Sequence, residues 1–181
     1  MPTLQQLGGF KLTSPTVVVT DPGYDEDTAT MCGLGCFITP CKVGQWYVEL
    51  TMDMTPQRRR EMPRTVTAVC DGFAAPPDSP DWQRKGHVGG DGGVLGIYDS
   101  AHFHDASIVP EEQEWTFNGE PAISDDLWYS FICELLRDRA AVVVPYGITV
   151  HWDGGMDVDA FSVGNKVVAI RMSISGWPDG V

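Results

Sequence analysis

Apolar positions along this chain come in short runs of two kinds. Thr16-Val17-Val18-Val19-Thr20 is β-branched throughout and is predicted to be a buried strand; Val94-Leu95-Gly96-Ile97-Tyr98 and the apolar stretch Ala141 to Val144 also read as strands. Gln45 to Met52, Arg64 to Cys70, Gly147 to Trp152 and Lys166 to Ser175 instead alternate apolar with polar residues, the mark of strands with one covered face. Met54 to Pro63 links two of these as a hairpin. One segment has helical spacing, Ser124 to Arg139. Ser124 fits an N-cap, Asp125 and Asp126 suit the first turn, and Leu127, Phe131 and Leu135 fall on one stripe with Trp128, Ile132 and Leu136 beside it.

The remaining stretches read as connections. Residues 1–15 are expected to be an irregular lead-in, and Asp21-Pro22-Gly23 a sharp turn ending the first strand. Asp25 to Thr30 reads as a polar loop or short helical turn. Residues 71–86, with Pro76, Pro77 and Pro80, read as one long loop, and Gly89 to Gly93 as a turn. Seven or eight strands and one main helix near 124–139 define an α+β protein with a mostly antiparallel sheet, either a sandwich or a strongly curved sheet, in a single domain over 1–181.

Composition narrows the function classes. Of 181 residues, 25 are acidic and 12 are Lys or Arg, a formal net charge of -13, which argues against general nucleic-acid binding. It favours a basic partner or a cation, and also serves plain solubility. The one basic cluster, Arg58-Arg59-Arg60 with Arg64, reads as a solvated loop. Five cysteines, an odd number, with no export-signal pattern and no long apolar run, point to a reducing, cytoplasmic setting without membrane association.

Four groups carry chemistry worth weighing against plainer roles. Cys32, Cys36 and Cys41 have no second close pair to complete a zinc site and read as buried thiols. Asp99, His102 and His104 are weak metal candidates, since two imidazoles one residue apart on a strand share a face; the plainer reading is a surface loop. Asp153, Asp157 and Asp159 lack the calcium-loop register and read as solvated hairpin acids. Asp21, with Tyr24 and Asp25, stands at a strand end where a site can form, or it hydrogen-bonds its own turn. No nucleophile elbow, phosphate loop or zinc-protease helix is present. The six Trp either cap a small core or leave some for a binding face.

The string Asp21-Pro22-Gly23-Tyr24 after a Val-rich strand is similar to the Asp-Pro-Cys-Tyr signature of a family of uncharacterised bacterial and phage proteins. Val88 to Asp99 resembles that family's Gly-rich segment ending in Gly-Ile-Phe-Asp, Trp128-Tyr129 its Trp-Tyr pair, and His151 to Asp157 its closing hairpin. The resemblance spans residues 16–174. It departs at Gly23, where the family has Cys, and in the hairpin, which lacks the Gly-Asp-Gly string. It implies the same fold and a bacterial or phage origin, and carries no activity. The functional expectation is a non-enzymatic binding protein, without cofactor, that recognises a protein partner as an immunity-like or counter-defence inhibitor. A small-molecule or nucleotide-sequestering protein and a metal-dependent hydrolase using His102, His104 and Asp99 are the alternatives. The candidate ligand-binding residues are Asp21, Tyr24, Asp91, Asp99 and Trp152, with a pocket expected between the Asp21–Tyr24 turn and the Gly89–Gly93 turn.

Overall fold

A computed structural model describes residues 3–53, 62–74, 79–90, 93–110, 116–117, 120–121, 127–152 and 154–174. In chain order, β1 (Thr3–Leu12) and β2 (Val17–Thr20) lead to the short helix α1 (Glu26–Met31). Then come β3 (Cys36–Ile38), β4 (Gly44–Asp53), β5 (Met62–Cys70), β6 (Gln83–Gly90) and β7 (Val94–Asp99). Two 3-10 turns follow, and a ribbon of β8 (Thr116–Phe117) and β9 (Glu120–Pro121). Helix α2 (Leu127–Leu136) precedes β10 (Ala141–Val144), β11 (Gly147–His151), β12 (Gly154–Val163) and β13 (Lys166–Ile174).

The strands form a six-stranded sheet, in the order β1-β4-β5-β13-β12-β6, and a five-stranded sheet, in the order β10-β11-β7-β2-β3. Their ladders are antiparallel. The protein is therefore a mostly antiparallel α+β structure of sandwich type with one main helix. The two sheets face each other over a core that includes Trp46, Leu50, Ile97, Ile148, Met156 and Ile170. The second face of the five-stranded sheet is covered by α2, through Trp128, Ile132 and Leu136 against Val18, Tyr98 and Val142.

This layering explains the two kinds of apolar run. β2 and β7 are buried at every position because α2 lies on one side of their sheet and the six-stranded sheet on the other. In β4, Trp46, Val48, Leu50 and Met52 enter the core while Tyr47, Glu49 and Thr51 point away from it, so the strand alternates. The outer face of the six-stranded sheet thus has no layer over it among the described residues.

Several expectations are corrected. The lead-in is β1 from Thr3 to Leu12, paired along its length with β4. Its Gly8-Gly9 reads as a breaker in sequence, but Gly8, at φ 116, sits at a register shift that lets the strand continue to Phe10 and Leu12 in the core. The 71–86 loop is shortened by β6, which starts at Gln83 and also absorbs Gly89-Gly90, although its residues are mostly polar, because β12 supplies a ladder for it. β12 itself extends through Asp157 and Asp159, so these acids are strand residues. The helix is Leu127–Leu136, and the capping residues expected at 124–126 lie outside the described residues, as do Arg58, Arg59 and Arg60. Among the described residues no helix is long and apolar enough to cross a membrane.

Candidate functional site

The residues singled out in sequence occupy separate places. Asp21 and Asp99 lie at opposite ends of the β2–β7 pair, because Val17 pairs with Asp99 and Thr20 with Gly96. At about 3.3 Å per residue they stand roughly 13 Å apart along the strand. Asp21 is buried, and its Oδ1 accepts a hydrogen bond from Gly23 N at 2.8 Å, closing the turn after β2. Tyr24 N donates to Asp21 O at 3.1 Å in the same turn. A Cβ on Gly90 would lie 2.5 Å from Asp21 Oδ2, so the end of β6 packs directly on this turn. Asp91 lies outside the described residues.

Asp99 has a structural setting. Its carboxylate accepts from Thr13 N (2.5 Å), Thr13 Oγ1 (2.6 Å), Ser14 N (3.2 Å) and Ala101 N (3.1 Å), and from Ser14 Oγ. Burial alone would raise its pKa, but the hydrogen bonds from Ser14, Thr13 and Ala101 outweigh burial and hold it below the ordinary value. Asp99 thereby ties the β1–β2 connection to the end of β7.

The two histidines diverge. His102 Nδ1 is 3.1 Å from Asp105 Oδ2, and its ring stacks on Tyr146 at 3.7 Å. His104, at φ 59, donates from Nε2 to Tyr24 O at 2.9 Å and lies against Trp128. A turn separates them where the sequence reading had a shared strand face, so they do not meet Asp99 at one point. Among the described residues no group of three His, Cys, Asp or Glu side chains is arranged to hold a metal ion. Of the thiols, Cys36 and Cys41 are buried while Cys32 is exposed. Trp152 is a core residue whose backbone N donates to Gly93 O at 2.9 Å, not a surface ring.

The residues that do converge lie on the outer face of the six-stranded sheet. The ladder registers set Gln6, Glu49, Thr67, Arg171, Asp159 and Arg84 side by side, one from each strand from β1 to β6. Their side chains interact along this row. Gln6 Nε2 reaches Glu49 Oε1 at 3.4 Å, Arg171 donates to Asp159 Oδ2 at 3.3 Å, and Arg84 Nε donates to Asp159 Oδ1 at 2.8 Å. Arg84 also reaches Asp157 at 2.8 Å, and the hydrogen bond to Asp159 raises its pKa above the ordinary arginine value. Asp159 is only 7% exposed, an acid set into the floor between two guanidiniums.

Two further rows flank the charged one. Thr51, Thr65, Ser173, Asp157 and His87 form a hydroxyl-rich row, and Tyr47, Val69, Ala169 and Phe161 an apolar one. Asp71 to Ala74, after β5, and Trp82, before β6, lie at the same face. Arg171 packs over the Trp82 ring at 4.4 Å, Trp82 meets Phe161 at 5.8 Å, and Lys42 lies over the Phe73 ring at 4.6 Å. Most of these side chains, but not Ala169, Phe161, His87 or Lys42, line an open groove of about 940 Å³. Its lining carries four carboxylates, Glu49, Asp71, Asp157 and Asp159, against three guanidiniums, Arg64, Arg84 and Arg171. Arg64, grouped in sequence with the basic cluster and also opening the alternating run to Cys70, is a β5 residue of this groove.

The sequence reading missed this face. Its signal was present in the outward residues of the alternating strands, but joining them requires knowing that β4, β5, β13 and β12 are neighbours. The fold and the groove together define a two-sheet α+β sandwich with one sheet face open and lined by paired charges and rings. No protein-family model, curated protein or solved structure matches the chain.

Proposed function

We propose that this is a binding protein whose recognition surface is the outer face of the six-stranded sheet, and that its ligand is polar and of low net charge. The observation that carries the reading is the groove of about 940 Å³ spanning all six strands, with Arg84 and Arg171 already paired to Asp157 and Asp159. Side chains held by each other in this way are preorganised for contact, and binding then orders few groups. They are poorly suited to proton transfer or nucleophilic attack, because each charge is neutralised by a partner. The rings of Tyr47, Phe73 and Trp82 add apolar contact area at the same surface.

The formal charge of the groove lining, -1 against -13 for the chain, moves the reading away from a basic protein seated on this face and towards a ligand without strong charge. The test is thermal denaturation of the wild type and of Thr67→Trp, which fills the middle of the face, against panels of neutral oligosaccharides, nucleotides and Lys-rich peptides. A ligand at ten times its Kd adds about 1.4 kcal/mol, or roughly 3–6 °C in Tm for a chain of this size. Such a shift is expected in the wild type and not in Thr67→Trp, with both giving the same circular dichroism spectrum. Equal shifts in the two proteins, or none in the wild type with any panel, overturn the proposal.

A further inference from the structure

We infer that the groove takes a neutral polyhydroxylated chain, an oligosaccharide; this rests on the reading of the groove as the binding surface. The three rows set the chemistry. The apolar pair of Tyr47 and Val69, with Phe73 and Trp82 beside it, asks for C–H surface that can lie flat on rings. Next to it, Arg171, Asp159 and Arg84 present planar charged groups whose fork and carboxylate geometry suits hydroxyls, which donate and accept at once. The third row adds Thr51, Thr65 and Ser173, and Thr67 stands between. These four hydroxyls line the groove. A sugar ring has this same division, with C–H faces and a hydroxyl rim.

Charge removes the competing classes. A nucleotide or other anion meets guanidiniums that are neutralised by Asp157 and Asp159, within the field of a chain of -13. A basic peptide gains from that field, but the groove itself, with three guanidiniums against four carboxylates, has a formal charge of only -1 and gives it no concentrated negative patch. An apolar ligand would strip water from the row of hydroxyls and from Asp159 without replacing their hydrogen bonds. A neutral polyol incurs none of these costs. Length fits a chain rather than one ring, because six strands about 4.8 Å apart span roughly 24 Å.

Saturation-transfer NMR and titration calorimetry with neutral glucan, mannan, galactan and chitin oligosaccharides test this, beside adenosine triphosphate and a Lys-rich peptide as controls. Tyr47 is 50% exposed, so Tyr47→Ala tests the ring without disturbing the core. At least one neutral oligosaccharide is expected to bind, about tenfold more weakly to Tyr47→Ala, as loss of one ring contact implies, and not to Thr67→Trp. Binding only of the peptide or the nucleotide, sensitive to the same variants, overturns the carbohydrate assignment and leaves the groove as the site. Oligosaccharide binding unchanged in both variants overturns the site. No binding by any probe overturns both.

Discussion

Replacing Asp99 by Ala removes an acceptor that five donors share, and the structure indicates how much that costs. Three of the five are main-chain N–H groups, those of Thr13, Ser14 and Ala101, and two are the hydroxyls of Thr13 and Ser14. A buried donor left without a partner costs about 1–3 kcal/mol, but the hydroxyls can rotate and the segment is only part-buried, so the donors do not add in full. We expect about 3–5 kcal/mol for Asp99→Ala, a large share of the roughly 5–15 kcal/mol that stabilises a domain. Asp99→Asn keeps the volume but turns an amide N–H towards donors, and should cost about 2–3 kcal/mol. Because the native pKa of Asp99 lies below the unfolded value, its contribution is complete above about pH 4 and is lost as pH falls through the native pKa. The stability gap between wild type and Asp99→Asn, from urea unfolding at a series of pH values, is therefore expected to be flat from pH 7 to pH 5 and to narrow towards pH 3. A loss under about 1 kcal/mol for Asp99→Ala with unchanged m, or a gap that stays constant down to pH 3, would refute this account.

Other consequences can be measured on the same protein. Gly90→Ala sets a Cβ 2.5 Å from Asp21 Oδ2 and 3.0 Å from Val94 O, where neither neighbour can retreat, so urea unfolding should show a loss of about 1–3 kcal/mol. Burial pushes the Cys41 thiol up to about 12 and also raises Cys36 and Cys70, whereas Cys32 is exposed; native alkylation at pH 8, followed by intact mass, should give a single fast adduct, at Cys32. Arg84→Ala should cost about 1 kcal/mol or less in urea unfolding despite its two carboxylate partners, because its side chain is 56% exposed. Arg171→Ala should cost about 1–2 kcal/mol and shift Trp fluorescence to the red as Trp82 loses its guanidinium cover.

What the sequence made legible was periodicity. The β-branched run before Asp21 is buried on both faces, and the alternating runs at 45–52, 64–70 and 166–175 are the strands β4, β5 and β13 of the open-faced sheet. β1 and β6 were lost because their own residues carry little apolar signal: Thr3–Leu12 and Gln83–Gly90 are held by the ladders of β4 and β12. β12 was hidden by Asp157 and Asp159, which look like turn acids until Arg84 and Arg171 are known to stand opposite. The groove was illegible for a related reason. Glu49, Thr67, Arg171 and Asp159 are far apart in sequence, and only strand order makes them a row. The setting of the individual candidates was not legible because a lone acid or histidine in sequence does not reveal its partners: Asp99 is bonded by Thr13 and Ser14, and His104 by Tyr24.

The cost of the charged row is the strongest reason to read it as more than a solvated face. Exposed cross-strand pairs of opposite charge stabilise a sheet by only a few tenths of a kcal/mol to about 1 kcal/mol. Asp159, however, is recessed to 7% exposure, so part of the carboxylate's water is gone, and two guanidiniums are needed to compensate. One of them, Arg171, is held in turn under Trp82, the residue before β6. A sheet needing only to stay folded and dissolved gains nothing from recessing an acid, pairing it twice and roofing the pair with indole. The same arrangement gives a ligand fixed acceptors, fixed donors and a ring at one surface.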